Sequence, residues 1–415
     1  MRVLQIHKFF YPHAGSETVL FHTRELLSAR GHEVIDFAME HPSNVESPYS
    51  EFFAPRREYI DASRPKHLRA VDALSSVYSL SARTRLRRLI AQTKPDIAHM
   101  HIIYHQLTTS VIDELARARV PMVMTLHDYK IGCPAYVLYR DGRPCRDCTT
   151  GAVYNAVRHK CIKGSLPASV LAGVEAAFSR LTGKYQQVDS YVCPSAFVGG
   201  VATESGIPAD RIHVIPNFLP DNEVGEPVQA LADAPRFFFA GRLEEVKGVD
   251  DLLEAFQEDD PSMGTLVIAG AGGGLESKVR RAAETLPNVE YLGRLSREDV
   301  LGQLRRSRAA ILPSRWDENN PMSILEARTL GVPVIVSDLG GLPEMVSDGV
   351  DGRVVRAGDV AHLRGAIQDM AADRSAAEAL GRAGYTRFGR DNTADAHYEA
   401  LMGAYEAARH RRESR

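Results

Sequence analysis

The sequence predicts an α/β protein made of two parallel-sheet domains, and three observations predict it. Short apolar runs alternate with helical patterns along almost the whole chain, which is the mark of βα units. The alternation falls into two series, separated by a span carrying two prolines, Pro216 and Pro220. With 415 residues, the chain is long enough for two domains with buried cores.

In the first series, Val3 to Ile6 reads as a strand, followed by a loop holding Gly15 and a helix from about Ser16 to Arg30. Gly31 and His32 then lead into a strand from Glu33 to Ala38. Further strands are expected at Ile97 to Ile102, Met122 to Leu126 and Tyr191 to Cys193. Ile212 to Asp221 suits a linker. The second series begins at Phe237 and continues through Leu266 to Ala269, Val289 to Leu292, Ala309 to Leu312 and Val334 to Val336, each followed by a helical pattern. At the end, Ala394, Tyr398, Leu401, Tyr405 and Ala408 share one face, so Asn392 to Arg415 reads as one long helix. The expected domains are 1–212, with a cysteine-bearing loop at 130–165 and the helix 392–415 joined to it, and 222–385.

Composition narrows the function. A hydrophobic content of 44% and a charged content of 25% are ordinary for a soluble globular chain. The net charge of −3 gives no general reason to expect a nucleic-acid partner. No apolar run approaches the ~20 residues that span a bilayer. The N-terminus enters a strand directly and has no leader-like apolar core. The expected location is the cytoplasm, with the inner face of the membrane as its extension.

The most informative stretch is Leu312 to Val346. It holds Glu318 and Glu326, eight positions apart, with Pro321 between them. The apolar run before Glu318 is a buried strand. Met322, Leu325, Ala327 and Leu330 follow at helical spacing and stop at Gly331-Val332-Pro333. Glu318 therefore falls in a strand-to-helix loop, and Glu326 one to two turns into the helix. Eight residues of helix would span about 12 Å, roughly the separation of ribose and transferred sugar in an extended nucleotide-sugar. The free N–H groups of the helix start lie between the carboxylates and suit a diphosphate.

This pair resembles the E-x7-E signature of the retaining glycosyltransferases of family 4, the glycogen-synthase-like group 1 with the GT-B fold. That resemblance implies two Rossmann-like domains with parallel sheets facing across a cleft, and a final helix that crosses back onto the first domain. It is dense from about Phe237 to Asp359 and patchy in the first half. It implies that Glu318 holds the sugar and Glu326 the ribose, and that Met322 and Ser323 offer backbone amides to the diphosphate. Asn319 and Asn320 stand where the family often has Gly-Phe, so the shape around the hexose differs. Arg294, in Leu292-Gly293-Arg294, is placed like the strand end that meets the base, and Gly270 belongs to the donor side.

Arg242 and Lys247, in Gly-Arg-x4-Lys-Gly, are two cations just after the first strand of the second domain. Such donors suit a departing diphosphate whose charge rises as the glycosidic bond breaks, and the pattern is similar to the family's phosphate-binding motif. Gly15 would let the backbone approach a phosphate, with Ser16 as helix cap. His127 closes the strand Met122 to Leu126 and, by resemblance, serves the donor sugar's reacting face; Asp128 would orient it or meet the acceptor. Gly270-Ala271-Gly272-Gly273-Gly274 also admits a Rossmann reading, but the chain has no well-placed acidic residue to support a nicotinamide cofactor. No cofactor is expected for the chemistry, since two cationic side chains substitute for a divalent metal.

Four of the five cysteines, Cys133, Cys145, Cys148 and Cys161, fall within 29 residues. A CxxC joined by two further thiols is a candidate for structural Zn(II); redox-active thiols and unliganded thiols are the other two readings. From Tyr49 to Lys94 there are ten Lys/Arg against four acids. There Arg83 and Arg87, with Leu80, Leu86, Leu89 and Ile90, form a candidate peripheral membrane contact, against the alternative of a solvated basic face.

The function expected is transfer of a sugar, with retention, from a nucleoside diphosphate sugar to an acceptor in polysaccharide, cell-envelope glycan or glycolipid synthesis. Glycosylation of a small-molecule natural product is the alternative acceptor class. A sugar-nucleotide epimerase or a phosphorylase would be separated by product analysis, and a non-catalytic scaffold by the absence of donor hydrolysis.

Overall fold

A computed structural model describes the chain except for residues 57–72 and 258–259. It divides into two compact units. Unit 1 comprises Met1–Leu138, Arg146–Pro216 and His397–Arg415; unit 2 comprises Tyr139–Cys145 and Asn217–Ala396.

Unit 1 is built on a six-stranded parallel sheet. Its strands are β1 (Arg2–Ile6), β2 (Glu33–Phe37), β3 (Ile97–Met100), β4 (Met122–Thr125), β7 (Ser190–Cys193) and β8 (Ile212–Val214), in the order β2-β1-β3-β4-β7-β8. The period of two along β1 explains why both faces are covered. Leu4 and Ile6 enter one core with Leu86, Leu89, Met122 and Met124, while Val3 enters a second with Leu401, Ala404, Tyr405 and Ala408. Those last four lie on the C-terminal helix Ala394–Glu413, so its apolar face closes one side of this sheet. Ile212–Val214, expected as linker, instead pairs in register with Tyr191–Cys193 as an edge strand, and the chain leaves the unit just beyond it.

Unit 2 repeats the architecture with β9 (Arg236–Ala240), β10 (Thr265–Ala269), β11 (Val289–Tyr291), β12 (Ala309–Leu312), β13 (Val334–Ser337) and β14 (Arg353–Val355), in the order β11-β10-β9-β12-β13-β14. The same alternation operates here. Phe237 and Phe239 pack with Leu252, Leu253 and Ile367 on one face, and Phe238 packs with Ile324, Leu325 and Ala327 on the other. Strand order reverses between β9 and β12, the switch point at whose carboxyl ends doubly wound sheets bind ligands. The short hairpin of β5 (Tyr139–Arg140) and β6 (Arg143–Pro144) is grouped with this unit.

The basic face expected to meet a membrane is largely spent within the unit, and of its apolar residues Leu80, Leu86, Leu89 and Ile90 only Leu80 is exposed. In the helix Leu80–Thr93, Leu86 and Leu89 are fully buried in the core and Ile90 packs against it. Arg83 and Arg87 both turn to the buried Glu114, at 3.2 and 2.9 Å. The helical period that made this face look amphipathic is the period of core packing. Positions 57, 64, 66 and 69 of the same basic stretch lie outside the described residues.

Among the described residues, none of the four clustered cysteines forms a disulfide. Among the described residues no group of three or more His, Cys, Asp or Glu is arranged to hold a metal. Cys133 packs against the apolar core of unit 1, and Cys148 is buried. Cys145 belongs to the hairpin segment grouped with unit 2. Among the described residues, closeness in sequence does not become a ligand set, and the structure gives the zinc reading no support.

Candidate functional site

The loops after β9 and β12 bring the unit 2 candidates together. After β9 the chain makes a single 3-10 turn, Glu245–Lys247, and stops at Gly248 with φ +70°. A Cβ at Gly248 would sit 1.9 Å from the Pro313 carbonyl oxygen, so only glycine lets this turn press against the end of β12. The close approach sets Lys247 Nζ 2.7 Å from Glu318 Oε1. Ser314 Oγ donates to the same oxygen at 2.7 Å, and the Lys247 ammonium lies 5.0 Å from the Trp316 ring centroid. The backbone of Glu318 is fixed as well. Gly341 N–H donates to its carbonyl at 2.7 Å, and Gly340, at φ +63°, passes where any Cβ would meet that carbonyl.

Glu318 is almost fully buried. Burial pushes its carboxyl pKa up, but the Lys247 charge and the hydrogen bonds from Lys247 and Ser314 outweigh burial and leave it below the usual carboxylate value. The carboxylate is therefore held ionised. The ammonium has three N–H groups and spends one of them on Glu318, which leaves donors for an incoming anion.

Three positions further on, Pro321 begins the helix Met322–Thr329 without any side-chain cap, so no side chain closes the first-turn N–H groups of Met322 and Ser323. Glu326, one turn into this helix, faces a small open recess lined by Ser323, Ile324, Phe238 and Ala240. Arg297 Nε donates to Glu326 at 3.2 Å, while the same guanidinium bonds Glu223 at 2.7 Å. Burial raises the Glu326 pKa more than Arg297 lowers it.

The remaining candidates divide. Arg242 is exposed and pairs with Glu244 at 2.7 Å. Arg294 is exposed past the end of β11. Gly270 closes β10, where its N–H donates to Gly293 and its carbonyl accepts from the Tyr291 hydroxyl at 2.9 Å. Asn319 is half-buried in the loop. Asn320, expected on the donor side, gives both of its oxygens to Asn217: its side-chain oxygen accepts from Asn217 N–H at 3.1 Å, and its carbonyl accepts from the Asn217 amide at 2.7 Å. It ties the loop to the start of unit 2. Ser314, Trp316 and Arg297 were not singled out from sequence. Ser314 and Trp316 adjoin Glu318 and could have been sought there, whereas Arg297 is 29 positions from its partner and gave no local signal.

In unit 1 the carboxyl ends of β1, β3 and β4 gather a buried polar cluster. His127 follows β4 and is half-buried; its Nε2 shares a hydrogen bond with His101 Nδ1 at 2.8 Å, the rings stacked 5.1 Å apart. Behind them His99 bonds Thr125 Oγ1 at 2.7 Å and the Tyr405 hydroxyl at 2.8 Å. Burial pushes His127 down to about 4 and His99 to about 3, and lowers His7 and His101 well below the ordinary value. All four imidazoles are neutral at pH 7.

Asp128 accepts from the Tyr104 hydroxyl and, at 2.9 Å, from the Lys130 N–H; burial raises its carboxyl. Lys8 lies 4.3 Å from the Tyr104 ring centroid, and burial lowers its amine to about 8. His101, His127, Asp128 and Lys130 line a small open recess. Gly15 opens the helix Gly15–Ala29 with free space beside it. Ser16, expected as the cap, is already inside that helix. The cap position is Ala14, whose N–H donates to the Glu17 carboxylate at 3.0 Å, and Ser16 Oγ donates to the same carboxylate.

Comparison with known proteins places these features in a lineage. A family described as "Glycosyl transferases group 1" matches residues 225–387, and "Glycosyltransferase Family 4" matches residues 13–223. A glycogen synthase of Mycobacterium tuberculosis is 34% identical over 158 residues, covering 37% of this chain and 38% of that protein. The D-rhamnosyltransferase WbpZ of Pseudomonas aeruginosa is 35% identical over 158 residues, covering 37% of this chain and 41% of that one. The chain thus spans about two fifths of the length of these relatives. Among solved structures, sucrose-phosphate synthase from Thermosynechococcus elongatus superposes with a TM-score of 0.69 at 17% identity, covering 98% of both chains. Anabaena HepE in complex with UDP does so at 0.68 and 16%, covering 98% of this chain and 100% of that one. These likenesses agree with the two parallel sheets in showing the GT-B α/β fold. The second family match spans just over half of the sequence, and the chain belongs to glycosyltransferase family 4.

Proposed function

We propose that the chain is a retaining glycosyltransferase that moves a sugar from a nucleoside diphosphate sugar to a glycan or glycolipid acceptor in polysaccharide or cell-envelope synthesis. The observation that carries this reading is the Lys247–Glu318 pair at the switch point of unit 2, beside an uncapped helix start. A fixed anion and an ammonium with spare donors, next to exposed backbone N–H groups, suit a ligand with hydroxyls at one end and a diphosphate behind them. In this proposal Glu318 accepts hydrogen bonds from the sugar hydroxyls. Lys247 and Arg242 meet the diphosphate, together with the amides of Met322 and Ser323, and Glu326 takes the ribose hydroxyls. Within unit 1, Gly15 and His127 keep the donor-side roles that the family resemblance implies, and Gly270, Asn319 and Arg294 those of unit 2.

The chemistry is a balanced substitution at the sugar C1. The bond from C1 to the diphosphate oxygen breaks and the acceptor oxygen bonds C1 on the same face. The acceptor's proton passes to the departing phosphate oxygen, so no side-chain nucleophile is required. Charge builds on the diphosphate as this happens, and fixed donors already aimed there lower the barrier. With two cationic side chains in that place, a divalent metal is dispensable.

The test is a panel of nucleoside diphosphate sugars scored by melting temperature, since a ligand that binds only the folded chain stabilises it by mass action. At least one donor should raise the melting temperature by several degrees in the presence of chelator. A panel without effect overturns the reading, and an effect that needs a divalent ion overturns its metal-free part.

A further inference from the structure

The helix Leu166–Leu181 in unit 1 carries an exposed apolar row. Leu166, Val170, Val174 and Leu181 are 49%, 42%, 51% and 87% exposed. At 100° per residue the four fall within an arc of about 80°. The helix has two charged residues, and both are turned away from water. Glu175 is buried against Lys130, and Arg180 donates to the carbonyls of Ile131 and Gly132. A solvated helix ordinarily covers its outer face with charge; this one presents an uncharged, apolar strip.

The strip has neighbours of the same kind. Tyr154, on the short helix before it, is 64% exposed. The Phe178 ring meets Tyr78 at 5.9 Å, which puts the stretch bearing Leu74 and Leu80, 72% and 69% exposed, close to the helix's C-terminal half. An exposed apolar row without covering charge marks a docking site. The charge around it says which kind. Of the six Lys, Arg, Asp and Glu residues between Thr149 and Val188, Glu175 is paired with Lys130, Arg180 is spent on backbone carbonyls and Lys184 on Asp113, which leaves three cations and no acid on the outside. Arg158, Lys160 and Lys163 are exposed immediately before the apolar row begins.

We propose that this face docks on a lipid bilayer bearing anionic headgroups, with the helix lying along the surface. Its apolar row enters the acyl boundary while Arg158, Lys160 and Lys163 meet the headgroup charge. No helix among the described residues is long and apolar enough to cross a membrane, so the contact is peripheral.

The test is co-sedimentation of the full chain with vesicles of phosphatidylcholine alone or mixed with phosphatidylglycerol. Neither readout uses sugar transfer, so it stands apart from the donor assignment. The wild type should partition onto the mixed vesicles and far less onto neutral ones. Val170→Glu with Val174→Glu, both at exposed positions, should keep the melting temperature and lose about tenfold or more in partitioning. Lys160→Glu with Lys163→Glu should abolish the preference for anionic lipid. Failure of the wild type to sediment, or equal binding by the Val170/Val174 variant, overturns the proposal. So does a dimer in solution that Val174→Glu splits without any vesicle binding, since the face would then belong to a second copy.

Discussion

Lys247 Nζ and Glu318 Oε1 stand 2.7 Å apart in a buried pair whose two residues come from loops after different strands, 71 positions apart in sequence. Each partner makes the other tolerable: the ammonium keeps the buried carboxylate ionised, and the carboxylate holds the ammonium in place. Removing one member should therefore cost stability as well as function. Lys247→Met should destabilise the chain by ~3–5 kcal/mol, since it strands a buried charge. Lys247→Met combined with Glu318→Gln should recover most of that loss in chemical denaturation while turnover stays at least ~100-fold down. A double variant no more stable than the single one would contradict a direct pair.

Gly248 is what allows the pair to form. Gly248→Ala places a Cβ on the Pro313 carbonyl and adds strain at positive φ, so it should lower stability by more than ~2 kcal/mol and disturb Lys247. Gly272 has a similar φ, +76°, but open space around it. Gly272→Ala should cost only ~1 kcal/mol. Equal losses for the two, measured by urea unfolding, would show that the contact with Pro313 is not what demands glycine.

Acid should unfold unit 1 by way of its histidines. His99 and His127 have folded-state values near 3 and 4, far below the ordinary 6.5. Above pH 6.5 both states are neutral at these groups and stability does not vary with them. Between pH 6.5 and about 4 the unfolded chain takes up protons that the folded one refuses. Each such histidine then removes up to ~1.4 kcal/mol per pH unit. Melting temperature should fall steadily through that window, and less steeply in a His101→Gln/His127→Gln variant. Glu318, with its lowered value, adds a second loss of stability only as pH drops below about 4.5, through its folded-state pKa.

Glu326 should behave differently from Glu318. It is proposed to hold the ribose, far from the bond that breaks, so Glu326→Gln should raise the donor KM about tenfold with little change in kcat. A fall in kcat with KM unchanged would move Glu326 into the chemical step.

The fold was legible because buried parallel strands read as apolar runs separated by helical period, and nearly every run became a strand. What escaped was short or at an edge. Ile212–Val214 carries His213 and sits beside two prolines, so it read as linker. Arg353–Val355 is half-buried and polar at its start, and gave no apolar run to notice. In the site, Glu318 and Lys247 were visible because each lies in a motif with its own local spacing. Arg297, which holds Glu326, and Asn217, which claims Asn320, come from distant segments and only the fold brings them in. The helix Leu80–Thr93 shows the opposite failure: a real period of apolar and basic residues, spent on the core and on Glu114.

The most direct measurement is the release of nucleoside diphosphate from a panel of nucleotide-sugars by the wild type, beside Lys247→Met and Glu318→Gln. At least one donor should be turned over by the wild type, with the rate down ~100-fold or more in each variant. No release from any donor, or rates unchanged in both variants, would contradict the assignment of this pair to sugar transfer.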